Sequence, residues 1–258
     1  MGSFKDLAKL PGLATAGLKV MSATEQHQAK RDAELRALAE RAEAAAAAHL
    51  ATVPHYPWAR LATLAEIRAL LNSHAMAFSI AGRGEIPAIL DIEALVGPAQ
   101  LADDVALDDL VLPAESSALF IRGNLTVARR IVQRPRAGLL VVIGNLRAQH
   151  LITSGPILVL GDLDVPGTLY GNSTSHSTIV LGSAHVGTLI PVQRHGFSPL
   201  AAYTITTLLD PDGDAPHISV FARHTPRSPR RLDPSLDPHD ATAIADVLST
   251  RPDILAPI

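Results

Sequence analysis

The chain has 258 residues, a formal net charge of −3 at pH 7 and no cysteine. Disulfides, thiolate metal sites and cysteine nucleophiles are therefore excluded, and the charge provides no global attraction to nucleic acid or anionic lipid. Hydrophobic residues make up 47% and aromatics 3%, which supplies a large aliphatic core but no aromatic platform for stacking sugars or bases.

Arginine outnumbers lysine 18 to 4, and with the alanine excess this reads as a GC-rich bacterial coding bias. The first residues hold no apolar stretch with a cleavage site. The expectation is a cytoplasmic protein that binds neither nucleic acid nor membrane.

Residues 1–21 predict no regular element. Ser22 and Glu25 have capping-box spacing, and the Ala-, Glu-, Arg- and Leu-rich stretch to about Leu50 predicts a long helix with a narrow apolar stripe through Leu35 and Leu38. Pro54 and Pro57 break the chain around Trp58, the only tryptophan. Thr63 and Glu66 repeat the capping-box spacing before a shorter helix with Leu64, Ile67, Leu70 and Leu71 on one face. MAFSIAG and EIPAILDIEAL flank Gly82 and Gly84 and predict a strand–turn–strand unit. QLADDVALDDLVLP (100–113) is acidic and alternating, and predicts an irregular first rung ahead of a repeat.

Four segments then align without gaps around a glycine: LFIRGNLTV (119–127), LVVIGNLRA (140–148), ILVLGDLDV (157–165) and TIVLGSAHV (178–186). The glycines, Gly123, Gly144, Gly161 and Gly182, are 21, 17 and 21 residues apart. A second apolar pair comes after each segment: Ile131-Val132, Leu151-Ile152, Leu169-Tyr170 and Leu189-Ile190. A unit this small cannot bury its apolar face alone. Rungs stacked about 4.8 Å apart let each strand pair in parallel with its copies above and below. The gaps between segments are too short for the helical crossovers of a doubly wound sheet. The repeat predicts an α+β chain built on a parallel β-solenoid of about four to six rungs.

Alternation assigns the faces. Leu119, Ile121, Leu125 and Val127 share one parity with Leu140, Val142, Leu146, Ala148 and their equivalents, and should face inward. The opposite parity holds Phe120, Val141, Leu158 and Ile179, then Arg122, Ile143, Leu160 and Leu181. That column is also mostly apolar and needs a cover, best matched in length by the 63–74 helix. After the glycine it turns polar, through Asn124, Asn145, Asp162 and Ser183: a solvated edge or a ladder of stacked hydrogen bonds.

AAYTITTLL and HISVFAR, within 198–222, are two further candidate strands. Residues 223–240 read as a Pro-rich linker, and Asp240 as the N-cap of a helix that packs back over an end of the solenoid. The domain reading is 1–75 helical, 76–222 solenoid, and 223–258 linker with capping helix.

The chemistry is sparse. His150, His176, His185 and His195 lack metal-ligand spacing and read as surface histidines. Asp162 and Asp164 form an outward pair, but Asn145 and Ser183 replace them on neighbouring rungs, so no acid pair stacks. DPDGD (210–214) lacks the downstream glutamate of a calcium loop and reads as a turn. GNSTSHS (171–177) lacks the lysine of a phosphate loop and opens no helix. No catalytic, metal or cofactor site is assigned. Arg129, Arg130, Arg134 and Arg136 form a basic patch on one loop between rungs. With Arg122, Phe120, Ile143, Leu160 and Leu181 they are the candidate partner-binding residues.

The stretch LVVIGNLRAQHLITSGPILVLGDLDVPGTLYGNSTSHSTIVLGSAHVGTLI resembles the polymer-forming, bactofilin-like cytoskeletal β-solenoids in its short Val/Ile strands, Gly-Asn/Asp turns and unit size. The resemblance implies a right-handed solenoid without enzyme activity. Three functional readings result: a non-enzymatic protein-binding solenoid, for example an immunity or antitoxin partner of a bacterial toxin; a self-assembling scaffold, giving a homo-oligomer; and a hexapeptide-type transferase, whose strict six-residue period is missing here.

The inward assignment predicts that Leu146→Asp or Leu163→Asp unfolds the protein. Each places an unpaired carboxylate in a dry core, at several kcal/mol against a total stability of roughly 5–15 kcal/mol. Asn145→Asp should be far milder. Thermal melts of the three variants decide it, and equal melting temperatures would refute the assignment.

Overall fold

The computed structural model describes residues 55–74, 99–212, 231–251 and 254–255, with scattered positions between 27 and 41. The chain divides into two units, Met1–Ala51 and Thr52–Ile258. In the first, the described positions between 27 and 41 are helical and exposed. The Ser22/Glu25 box, the Leu35/Leu38 stripe, the strand–turn–strand unit and HISVFAR lie outside the described residues.

The second unit is a parallel β-solenoid. It opens with β1 (Arg60–Ala62) and α1 (Leu64–Ser73). Its six rungs each hold a short strand and a longer one: β2 (Ala99–Ala102) and β3 (Val105–Leu112), β4 (Ala118–Ile121) and β5 (Leu125–Gln133), β6 (Leu140–Val142) and β7 (Leu146–Thr153), β8 (Ile157–Val159) and β9 (Leu163–Asn172), β10 (Ser177–Val180) and β11 (Ala184–Val192), β12 (Gly196–Pro199) and β13 (Tyr203–Leu208). The short strands stack into a seven-stranded sheet that includes β1, and the long ones into a six-stranded sheet. Every pairing is parallel except β1 with β2.

The four aligned segments stack in register: Leu125, Leu146, Leu163 and Ala184 are successive partners. The glycine N–H of each rung donates to the glycine carbonyl of the rung before, from Gly144 to Gly123 at 2.9 Å, Gly161 to Gly144 at 3.1 Å and Gly182 to Gly161 at 3.1 Å. This contact explains the repeated glycine. A Cβ on Gly144, Gly161 or Gly182 would lie 2.5–2.6 Å from the preceding glycine oxygen. Residues 100–113 supply both strands of the first rung and pair in parallel with the second, with a register shift between Leu107 and Asp109. They lack a glycine because this rung passes from Ala102 to Val105, one residue shorter at the corner than Ile121 to Leu125. β12 was not legible in the sequence, since GFSP resembles a turn.

The long strands carry a register shift near their middle, which bends each into two halves. From Val127 to the next inward side chain, Ile131, is four residues; from Ala148 to Leu151 it is three. The bulge therefore breaks the sequence parity, and the faces of the second apolar pairs could not be assigned from alternation. One member of each pair, Ile131, Leu151, Leu169 and Leu189, faces the main core. The other, Val132, Ile152, Tyr170 and Ile190, forms a second outward apolar column.

Both outward columns are covered. α1 is held by a complete capping box of Thr63 and Glu66 and lays Ile67 and Leu71 over Phe120, Val141, Leu158 and Ile179. The C-terminal helix α2 (Ala241–Val247) starts at Asp240, whose carboxylate accepts from the Thr242 and Ala243 N–H groups at 3.0 Å. Its Ile244 and Ala245 close over Ile152, Tyr170 and Ile190. The expected end cap is therefore a lateral cover. The reason is the second column, a large apolar surface that alternation did not reveal. At the first rung, β1 pairs antiparallel and the stacked rings of Tyr56 and Trp58 pack against the main core.

Gly161→Ala should destabilise the protein by about 1–3 kcal/mol, the range for forced overpacking, because the new methyl meets backbone and not only a movable side chain. Chemical denaturation measures it. A loss no larger than that of an exposed alanine substitution would refute the stacking explanation.

Candidate functional site

The apolar partner-binding candidates are not an open face. Phe120 is 4% exposed beneath α1, which corrects its assignment as a contact residue. Ile143, Leu160 and Leu181 are half-buried beside the same cluster. The polar positions after the glycine form a ladder. The side-chain oxygens of Asp104, Asn124, Asn145 and Asp162 accept from the backbone N–H of Asn124, Asn145, Asp162 and Ser183, at 2.6, 2.9, 2.8 and 2.7 Å. Two neutral asparagines separate the two aspartates, so like charges do not stack on adjacent rungs.

The basic patch is largely internal. Arg129 and Arg130 belong to β5 and not to a loop; only Arg134 and Arg136 lie beyond the strand. Arg122 pairs with Asp103, Arg129 and Arg130 with Asp109, and Arg136 with Glu115 at 3.2 Å. Every one of these pairs joins the second rung to the first. The acidic segment 100–113 and the arginines were both visible in sequence, but only stacking puts them opposite one another. Exposed pairs contribute little singly, about 0–1 kcal/mol. Arg130 is half-buried and does more: it also donates to the Ala245 carbonyl, tying α2 to the second rung. Among the described residues Arg134 has no carboxylate partner.

Two histidines read as surface residues are buried. His150 accepts the Thr168 N–H at 3.1 Å through Nδ1, and burial lowers its pKa. His195 is 1% exposed, with Nε2 3.1 Å from the Thr178 hydroxyl and Nδ1 unpartnered among the described residues. Burial pushes it down to about 3, with His176 adding to the shift. Gly171 makes room for its ring, since a Cβ there would fall 2.1 Å from an imidazole carbon. His176 is exposed at its corner loop, and His185 is exposed 2.8 Å from Asp164, which also pairs with Arg147 at 3.3 Å. Among the described residues no three His, Asp or Glu side chains could hold a metal ion together. In the DPDGD stretch, Asp212 accepts the Gln193 N–H at 2.8 Å; Gly213 and Asp214 lie outside the described residues.

One face of the solenoid has no cover among the described residues. The first halves of the long strands present Thr126, Arg147, Asp164, His185 and Thr204 as an in-register column, exposed except for the half-buried Asp164. Among the described residues no helix is long and apolar enough to cross a membrane. Comparison of the chain with known protein families, with curated proteins and with solved structures finds no match.

An unfolded imidazole titrates near 6.5, but His195 in the fold only near about 3. The folded chain therefore binds fewer protons across that interval, so stability is complete above about pH 6.5 and declines as pH falls toward 3. His150 and His176 are shifted in the same direction. The urea midpoint should fall between pH 7 and pH 4.5, and His195→Gln should flatten that fall. An unchanged slope in the variant would remove His195 as its source.

Proposed function

We propose that the chain is a non-enzymatic protein-binding solenoid, and that its partner docks on the uncovered column of Thr126, Arg147, Asp164, His185 and Thr204. The observation that carries this reading is the uneven covering of the solenoid. The two apolar columns are closed by the chain's own helices, while no described residue covers this polar column. Parallel pairing on both sides and the adjacent Asx ladder hold its side chains at fixed spacing. A preorganised surface of this kind loses little freedom on binding, and its charges select the partner and its register.

An immunity or antitoxin role toward a bacterial toxin is the finer form of the proposal, because such a role is exercised by occupancy alone and asks for a binding face rather than a reaction. The alternative, a self-assembling scaffold, draws on the parallel rungs themselves. Against head-to-tail stacking stand the antiparallel β1 and the Tyr56–Trp58 pair at the first rung.

Size-exclusion chromatography with light scattering, followed by electron microscopy, separates the two. The expected result is a discrete particle without fibres; fibres would transfer the chain to the scaffold reading. Co-expression with the product of an adjacent gene should then give a stoichiometric complex. Arg147→Glu should weaken it about tenfold or more, at an unchanged melting temperature. A complex indifferent to Arg147→Glu and to His185→Glu would refute the docking face.

A further inference from the structure

The corners joining the second half of each long strand to the next short strand differ in length. Between the paired positions Gln133/Thr153/Gly171 and Leu140/Ile157/Thr178 lie residues 134–139, 154–156 and 172–177. The short middle corner accounts for three of the four residues by which the 17-residue glycine spacing falls short of 21, and the three-residue step from Ala148 to Leu151 accounts for the fourth. The short corner recesses the third rung between two longer corners and leaves an open groove of about 340 Å³.

Arg136 forms one wall, the loop 172–176 the other, and Gln193 the far end, with Ser154 between them. Thr174 and Ser175 are exposed, and the Ser173 hydroxyl is committed to the Ser175 and His176 N–H groups. Ser154 is 7% exposed, and its Oγ has no hydrogen-bond partner among the described residues. Among those residues no carboxylate lines the groove. Two acidic groups outside the lining contact it: Glu115 pairs with the Arg136 guanidinium at 3.2 Å, and Asp212 accepts the Gln193 N–H at 2.8 Å.

The backbone points to the same place. Four non-glycine residues, Glu115, Arg136, Gln193 and Arg194, hold φ of 59°, 61°, 54° and 66°, in the left-handed region, and Arg136 and Gln193 line the groove. Glycine adopts that conformation freely, whereas other residues are strained there. The loop 171–177 lacks a cation of its own, and Arg136, two corners away in sequence, supplies it in space.

We propose that this groove binds a small phosphate-type oxyanion, with the Arg136 guanidinium as the cation and the Thr174, Ser175 and Ser154 hydroxyls as donors. The site is independent of the docking face on the polar column. A guanidinium forms charge-assisted bonds to phosphate oxygens, and hydroxyl donors complete the shell without adding charge.

Isothermal titration calorimetry of the full chain tests it with inorganic phosphate and with glycerol 3-phosphate, against chloride at matched ionic strength. Saturable one-to-one binding is expected, weakened about tenfold or more by Arg136→Gln and less by Thr174→Ala. Equal affinity for the two ligands assigns the free ion; tighter binding of the ester assigns a phosphorylated small molecule. Arg136→Gly should abolish binding while raising the melting temperature, because it relieves the strained φ. Absence of saturation, or equal binding by Arg136→Gln and the unaltered chain, overturns the proposal.

Discussion

From the third rung to the fifth, each rung rests on the one before it through a pair of contacts at a single corner. A glycine N–H reaches the glycine carbonyl below, and the next N–H reaches an Asx side-chain oxygen. The two bonds set the height between rungs at one strand spacing. They also exclude a side chain at the glycine, since any Cβ would enter the carbonyl beneath it. Once the corner is set, the inward leucines, isoleucines and valines must stack on their own copies, and the core is one continuous column.

That stacking creates the problem the two helices solve. A strand that is apolar on both faces buries one face in the core and leaves the other as a stripe running the height of the solenoid. The short strands and the second halves of the long strands produce two such stripes. Each is met by a short helix with a defined start: α1 through its capping box and α2 through the Asp240 cap. Burying Ile67 and Leu71, or Ile244, contributes about 2 kcal/mol per side chain, so the helices are held by few but fully desolvated contacts. Among the described residues the third, polar face has no such cover.

Charge obeys the same logic. Along the chain, the acidic first rung and the arginines of the rung after it are separate features, and the arginines suggest an interaction patch. Stacked, they neutralise one another through Asp103, Asp109 and Glu115. The arginines that the sequence offered to an acidic partner instead fasten the terminal rung, and Arg130 extends the fastening to α2.

The amino-acid sequence by itself determined the solenoid and the inward columns of its central rungs, because a glycine recurring at four successive corners, Gly123 to Gly182, leaves a mark that needs no tertiary information. It also determined both helix starts at Thr63 and Asp240, since capping is a local hydrogen-bond pattern. Tertiary structure alone decided three things. The second outward column, Val132 to Ile190, was hidden because the bulge shifts parity by a residue and alternation cannot be carried across it. The burial of His150 and His195 was hidden because a histidine's depth depends on what stacks around it, not on its neighbours in sequence. The pairing of Asp109 with Arg129 and Arg130, and of Glu115 with Arg136, was hidden because charges about twenty residues apart become neighbours only when rungs stack, so their net effect on a partner is a property of the stack.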